Sequence, residues 1–131
     1  MTVHAVIPGP PQAKERPRTG EDGRFFTPQA TKDAEEAIAE HIIVQNRDAT
    51  LDPKARFHVH VNFYADRRGD LDNRLKCLLD GITKSGLAWR NDNQVDSLYA
   101  LRMNPDAAGE RTEVWIRPAS SGFDPEVNSS T

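Results

Sequence analysis

Apolar and polar residues alternate most cleanly in "RFHVHVNFYAD", where Phe57, Val59, Val61 and Phe63 fall on one side and His58, His60, Asn62 and Tyr64 on the other. A period of two predicts a strand with one face buried. Farther along, the period changes. Leu71, Leu75, Leu78, Leu79 and Ile82 recur at helical spacing, which predicts a helix from just after Asp70 to about Ser85, with Gly86 as its stop. An earlier helix is predicted over about Pro28 to Gln45. It has Ala30, Ala34, Ala37, Ile38, His41 and Ile42 on one face, Thr27 as N-cap and Pro28 at its first position. Asp33, Glu35, Glu36 and Glu40 fall mostly on its other, solvated side. "TVHAVIPGPP" reads as a short strand halted by prolines, and "RTEVWIRP" as the last strand. "QVDSLYALRM" is apolar on both faces, which predicts a central strand. "RDATLDPKA", "WRNDN" and "NPDAAGE" are loops, and the tail from 119 to 131 is small and polar, expected to be disordered.

Composition narrows the class without deciding it. A chain of 131 residues suits one domain, here 1–118, ahead of that tail. The net charge of −3 argues against a protein that coats nucleic acid indiscriminately, but not against a local basic patch. Cys77 is the single cysteine, which fits a reducing cytoplasm, and the N-terminus lacks a signal-peptide pattern. No run is long or apolar enough to span a membrane.

The candidate chemistry lies in "RRGDLDNRLKCLLDG", from Arg67 to Gly81. On a continuous helix Asp70 and Asp72 would point about 200° apart. They converge only if Asp70 belongs to an extended segment and Asp72 to the first helical turn. Asp70 could equally be a plain N-cap, a role that leaves Asp72 unexplained. Lys76, four residues after Asp72, suits either an intrahelical ion pair or a contact to metal-bound phosphate. Asp80 continues that flank as a surface residue or a partner of Lys76 or Lys84. Mg²⁺ takes a few carboxylates and keeps several waters. Asp92 is the candidate third ligand, and Asp96 its rival inside the following strand. An EF-hand is excluded, because Arg74 stands where an oxygen ligand would be needed. The His58-x-His60 pair reads as an ordinary strand face, since no cysteine partner stands nearby.

An Asp-x-Asp pair also occurs in nucleotide-sugar transferases, so its company matters. Arg67 and Arg68 precede it, and Lys14, Arg16 and Arg18 recur every second residue, on one side of an extended chain. Acids for metal beside bases for phosphate describe a nuclease better than a sugar transferase. The same basic row would also suit a solvated edge strand.

"GDLDNRLKCLLDGITKSGLAWRNDNQV" resembles the signature of the RusA-type Holliday junction resolvases, small homodimeric endonucleases of bacteria and their phages. The matching positions are Asp70, Leu71, Asp72, Asn73, Lys76, Asp80, Asp92, Gln94 and Val95. "PGPPQAKERPR" followed by "RFFTPQAT" extends the resemblance from Val3 to about Pro118. The resemblance implies that Asp70, Asp72 and Asp92 bind Mg²⁺, with Mn²⁺ as a substitute, and that Lys76 is catalytic. It implies a homodimer acting on four-way DNA in recombination and repair, in the bacterial cytoplasm. Lys14, Arg16, Arg18, Arg67, Arg68 and Asn73 would contact the DNA. Many relatives carry two adjacent aspartates in the loop, whereas Asn91 precedes Asp92 here. Pattern and resemblance together predict an α+β domain, RusA-like, with two helices packed on a mixed β-sheet. A branched-DNA-binding protein that does not cut is the alternative.

Overall fold

The computed structural model describes residues 2–14, 18–49, 52, 54–66 and 69–119, with Arg18 described in its backbone alone. The fold is α+β, two helices on a mixed four-stranded sheet. Its elements are β1 (Val3–Pro8), β2 (Arg18–Thr19), β3 (Phe25–Phe26), α1 (Gln29–Gln45), β4 (Phe57–Tyr64), α2 (Leu71–Ser85), a 3-10 turn (Asp92–Gln94), β5 (Val95–Met103) and β6 (Arg111–Pro118). The main sheet runs β1-β6-β4-β5, and β2 and β3 form a separate two-stranded ribbon. β6 lies antiparallel to both β1 and β4, whereas β4 and β5 are parallel, with Phe57 beside Val95 and Tyr64 beside Met103. Parallel neighbours need a long crossover, and α2 supplies it.

Alternation in β4 places Phe57, Val59, Val61 and Phe63 under the helices, all buried. With Val3, Ala5, Val114 and Ile116 they meet Ile38 and Ile42 of α1 and Cys77, Leu78 and Ile82 of α2. Each large apolar side chain buried this way contributes about 1.5–3 kcal/mol, more than any exposed ion pair. Trp89 closes one end of the core, tilted against Phe57, its Nε1 donating to Thr83 Oγ1 at 2.7 Å. Across the opposite sheet face, His4, Trp115, His60 and Tyr99 form a row of ring contacts with centroids 5.2–5.3 Å apart.

Three expectations are corrected. β5 is an edge strand of the sheet, not a central one, and Leu98, Tyr99 and Met103 are exposed on it. α1 begins one residue late: Pro28, with ψ 145°, is itself the N-cap, and Thr27 plays no capping role. The buried stripe of α1 is Thr31, Glu35, Ile38, Ala39 and Ile42, so Glu35 leaves the solvated side and pairs with Lys84 at 2.9 Å. His58 is also buried, its Nδ1 2.6 Å from Ser97 Oγ.

The edge of β1 that faces away from β6 is occupied by side chains from the end of α1. His4 N donates to Asn46 Oδ1 (3.1 Å), and Asn46 Nδ2 returns a bond to His4 O (2.9 Å). Gln45 does the same for Val6, accepting from its N–H and donating to its carbonyl, both at 2.8 Å.

Candidate active site

Asp70 is the extended residue ahead of α2 (φ −86°, ψ 129°), and Asp72 stands in the first helical turn. The strand-to-helix corner required for the two carboxylates to converge is therefore present. Both side chains are exposed, at a helix N-terminus whose free N–H groups favour negative charge. Asn73 ties them together: its Nδ2 donates to Asp70 Oδ2 (3.2 Å) and its N–H to Asp72 Oδ1 (3.0 Å). Its carbonyl accepts from Lys14 N at 3.0 Å, strapping the N-terminal segment across the start of α2.

Two arginines that the sequence reading missed as site residues hold this corner. Arg74 is buried beneath the connector, its Nη1 3.4 Å from Asp66 O and its Nη2 3.9 Å from Asp66 Oδ1. Gly69 has φ +86°, and a Cβ there would sit 3.4 Å from Arg74 Nη2, so a side chain is unwelcome on both counts. Arg102 of β5 donates to Gly69 O at 2.8 Å, joining the corner to the C-terminal end of β5. The hint in the sequence was the i+4 relation of Arg74 to Asp70, where Arg74 N also bonds Asp70 O.

Lys76 is exposed and pairs with no carboxylate among the described residues, so the intrahelical bond to Asp72 is not formed. Asp80 is instead partnered by Lys14, a correction to the expected Lys76 or Lys84. The Asp80 hydrogen bond raises the Lys14 pKa above its ordinary value. Lys14 is thus engaged with protein, while Arg16, Arg67, Arg68 and the Arg18 side chain lie outside the described residues.

Asp92 is placed elsewhere. It opens the 3-10 turn that leads into the N-terminal end of β5. Asn91 caps that turn, accepting from Asn93 N at 2.9 Å, so the residue standing where relatives have aspartate has a structural task. Gln94 Oε1 accepts from Arg90 N and Asn91 N, and its Nε2 donates to Ala55 O at 2.8 Å, just ahead of β4. Arg56 clamps the same end, bonding Asn93 O and pairing with Asp96. Because β4 and β5 are parallel, the start of β5 and the end of β4 lie at opposite ends of the sheet. Asp92 and Asp96 stand at one end, Asp70 and Asp72 at the other.

α2 spans that separation. Its 15 residues at 1.5 Å rise amount to about 22 Å. Among the described residues no three His, Cys, Asp or Glu side chains are grouped to hold a metal ion. Asp70 and Asp72 suit Mg²⁺, which often takes one or two carboxylates and completes its shell with water and substrate phosphate. Asp92 of the same chain does not fit that site.

The family model described as endodeoxyribonuclease RusA matches residues 8–117, nearly the whole described domain. No curated protein matches the chain. Among the described residues no helix is long and apolar enough to cross a membrane.

Proposed function

The chain belongs to the RusA family of endodeoxyribonucleases, and from that premise we propose that it resolves four-way DNA junctions by paired symmetric nicks, as a Mg²⁺-dependent homodimer serving recombination and repair. The observation that carries the reading is the corner at Asp70. It sets two exposed carboxylates at a helix start, and one turn on stands Lys76, without a carboxylate partner among the described residues. Asp70 and Asp72 hold the metal, with Asp92 as the third carboxylate. Mg²⁺ bound there, or Mn²⁺ in its place, supplies Lewis-acid polarisation of the phosphate and an activated water. Lys76 faces the charge that develops on the phosphate oxygens as the bond breaks.

The protein positions the DNA through its backbone. Arg67 and Arg68 precede the corner in the chain, and Arg16 and Arg18 follow the Lys14 strap, so cationic side chains border the acids. Asn73, which links the two carboxylates, lies where a phosphate would enter. Lys14 contributes at one remove, by anchoring the strap to Asp80. Selection of a junction then rests on branched shape more than on base readout.

A synthetic four-way junction tests the reading. Wild-type protein with Mg²⁺ should give symmetric nicks, and Asp72→Asn should bind the junction without cutting it. Lys76→Ala should bind normally and cut about 10²–10³-fold more slowly, as expected for loss of one charge-stabilising group. Binding without nicks by the wild-type protein would leave a branched-DNA-binding protein in place of an enzyme.

A further inference from the structure

Asp92 is separated from Asp70 and Asp72 by the length of α2, yet the two ends of β5 reach both groups. Its N-terminal end continues from the Asp92 turn, and its C-terminal end is bonded to the corner through Arg102 and Gly69. The two sheet edges also differ. Gln45 and Asn46 occupy that of β1. The outer edge of β5 pairs with no strand among the described residues, and exposed Leu98, Tyr99 and Met103 lie along it. Exposed apolar side chains on an open edge are what strand pairing covers.

A second copy is the occupant that this edge fits. Two β5 strands related by a two-fold axis run antiparallel, about 4.8 Å apart. With the axis near Tyr99, the middle of the strand, Met103 of one copy lies opposite the start of β5 in the other. The C-terminal end of one β5, with its Asp70 corner, then stands beside the turn carrying the partner subunit's Asp92. No rotation within one chain achieves this, because the parallel β4–β5 pairing fixes the two groups at opposite ends.

We infer that each active site is shared: Asp70, Asp72 and Lys76 from one subunit, and the partner subunit's Asp92, brought together by antiparallel pairing of the β5 edges. The inference rests on the nuclease reading above and specifies its dimer. A lone protomer has no complete site, and the two-fold axis generates two.

Differently tagged chains, co-expressed and purified as heterodimers, test it. Pairing an Asp72→Asn chain with an Asp92→Asn chain puts both lesions in one shared site and leaves the other intact. That heterodimer should nick the four-way junction on one strand, while both single-mutant homodimers stay at least 100-fold below wild type. If all three carboxylates came from one chain, the same heterodimer would be dead, and a wild-type chain paired with an Asp72→Asn/Asp92→Asn chain would cut. Either result, or full cutting by the Asp92→Asn homodimer, overturns the inference while leaving a working nuclease. A second readout needs no activity. Chains carrying Asp70→Cys and Asp92→Cys, treated with a short bismaleimide, should crosslink as a mixture and not singly; native Cys77 is buried and does not compete. Absence of the mixed crosslink sinks the shared site even if the wild type cuts. A mixed crosslink with no wild-type cutting would keep the geometry and refute the nuclease.

Discussion

Gly81 stands where α1 and α2 come closest, and a single added methyl measures how tightly the scaffold of the site is packed. A Cβ at this position would lie 2.6 Å from Ile38 Cγ2, 2.7 Å from Ile38 Cβ and 3.1 Å from Glu35 O. Carbon atoms rest about 3.5–4.0 Å apart, so the helices would have to separate by roughly 1 Å. Neither a β-carbon nor a backbone carbonyl can rotate away. Overpacking of this kind costs about 1–3 kcal/mol, and alanine returns about 1 kcal/mol through helix propensity. The immovable neighbours favour the upper part of the range, so Gly81→Ala should lose a net 1–2 kcal/mol, roughly, of a total typically near 5–15. In urea, with a slope of about 2 kcal/mol/M, the midpoint should fall by roughly 0.5–1 M at unchanged slope. Junction nicking per folded molecule should persist at low temperature, since Gly81 is in the third turn of α2, away from Asp70. A Gly81→Ala protein as stable as the wild type would refute the close crossing.

The other predictions concern groups that the helices and the strap enclose. Cys77 is fully buried, and burial pushes its thiol up to about 11, so a disulfide reagent at pH 8 should label it only as fast as the protein opens; prompt labelling of native protein would contradict this. Lys84→Met strands the buried Glu35 carboxylate and should cost about 1–3 kcal/mol, of which Glu35→Gln in the same chain should recover part in urea titrations. Lys14 is raised by Asp80, so the stabilisation from this pair is full below the ordinary lysine range and fades as pH climbs through the raised value. The wild-type advantage over Asp80→Asn, below about 1 kcal/mol for a pair this exposed, should therefore shrink between pH 8 and pH 11; an advantage that grows would reverse the sign of the linkage.

What could be read from the sequence was local. Alternation placed β4, leucine spacing and Gly86 bounded α2, and the divergence of Asp70 and Asp72 on any continuous helix required the corner that the structure contains. The failures are cases where local pattern is silent or ambiguous. In α1, small alanines at 30, 34 and 37 and the stripe through Thr31, Glu35 and Ile38 are one position apart, and only the isoleucines discriminate. In β5, apolar residues on both faces imitate a central strand, although Tyr99 joins the ring row on the uncovered face and Leu98 is on an open edge. Lys14 and Asp80 are 66 residues apart, beyond any spacing rule. The position of Asp92 was recoverable in principle. A strand, a helix and a parallel strand in succession return the chain to its starting end, so whatever immediately precedes the second strand cannot meet whatever begins the helix.

The amide side chains of Gln45 and Asn46 have a consequence for how large an assembly can grow. A sheet open at both edges can add copies at each, and alternating contacts would then run on as a filament, the geometry shared by fibrils. Here the four bonds to His4 and Val6 use up the hydrogen-bonding groups through which a strand would join β1. Growth can proceed from β5 alone, and a two-fold contact consumes that edge in one step. The end of α1, remote from the acidic corner, thereby acts as a terminator of polymerisation, and the smallest closed assembly is also the largest.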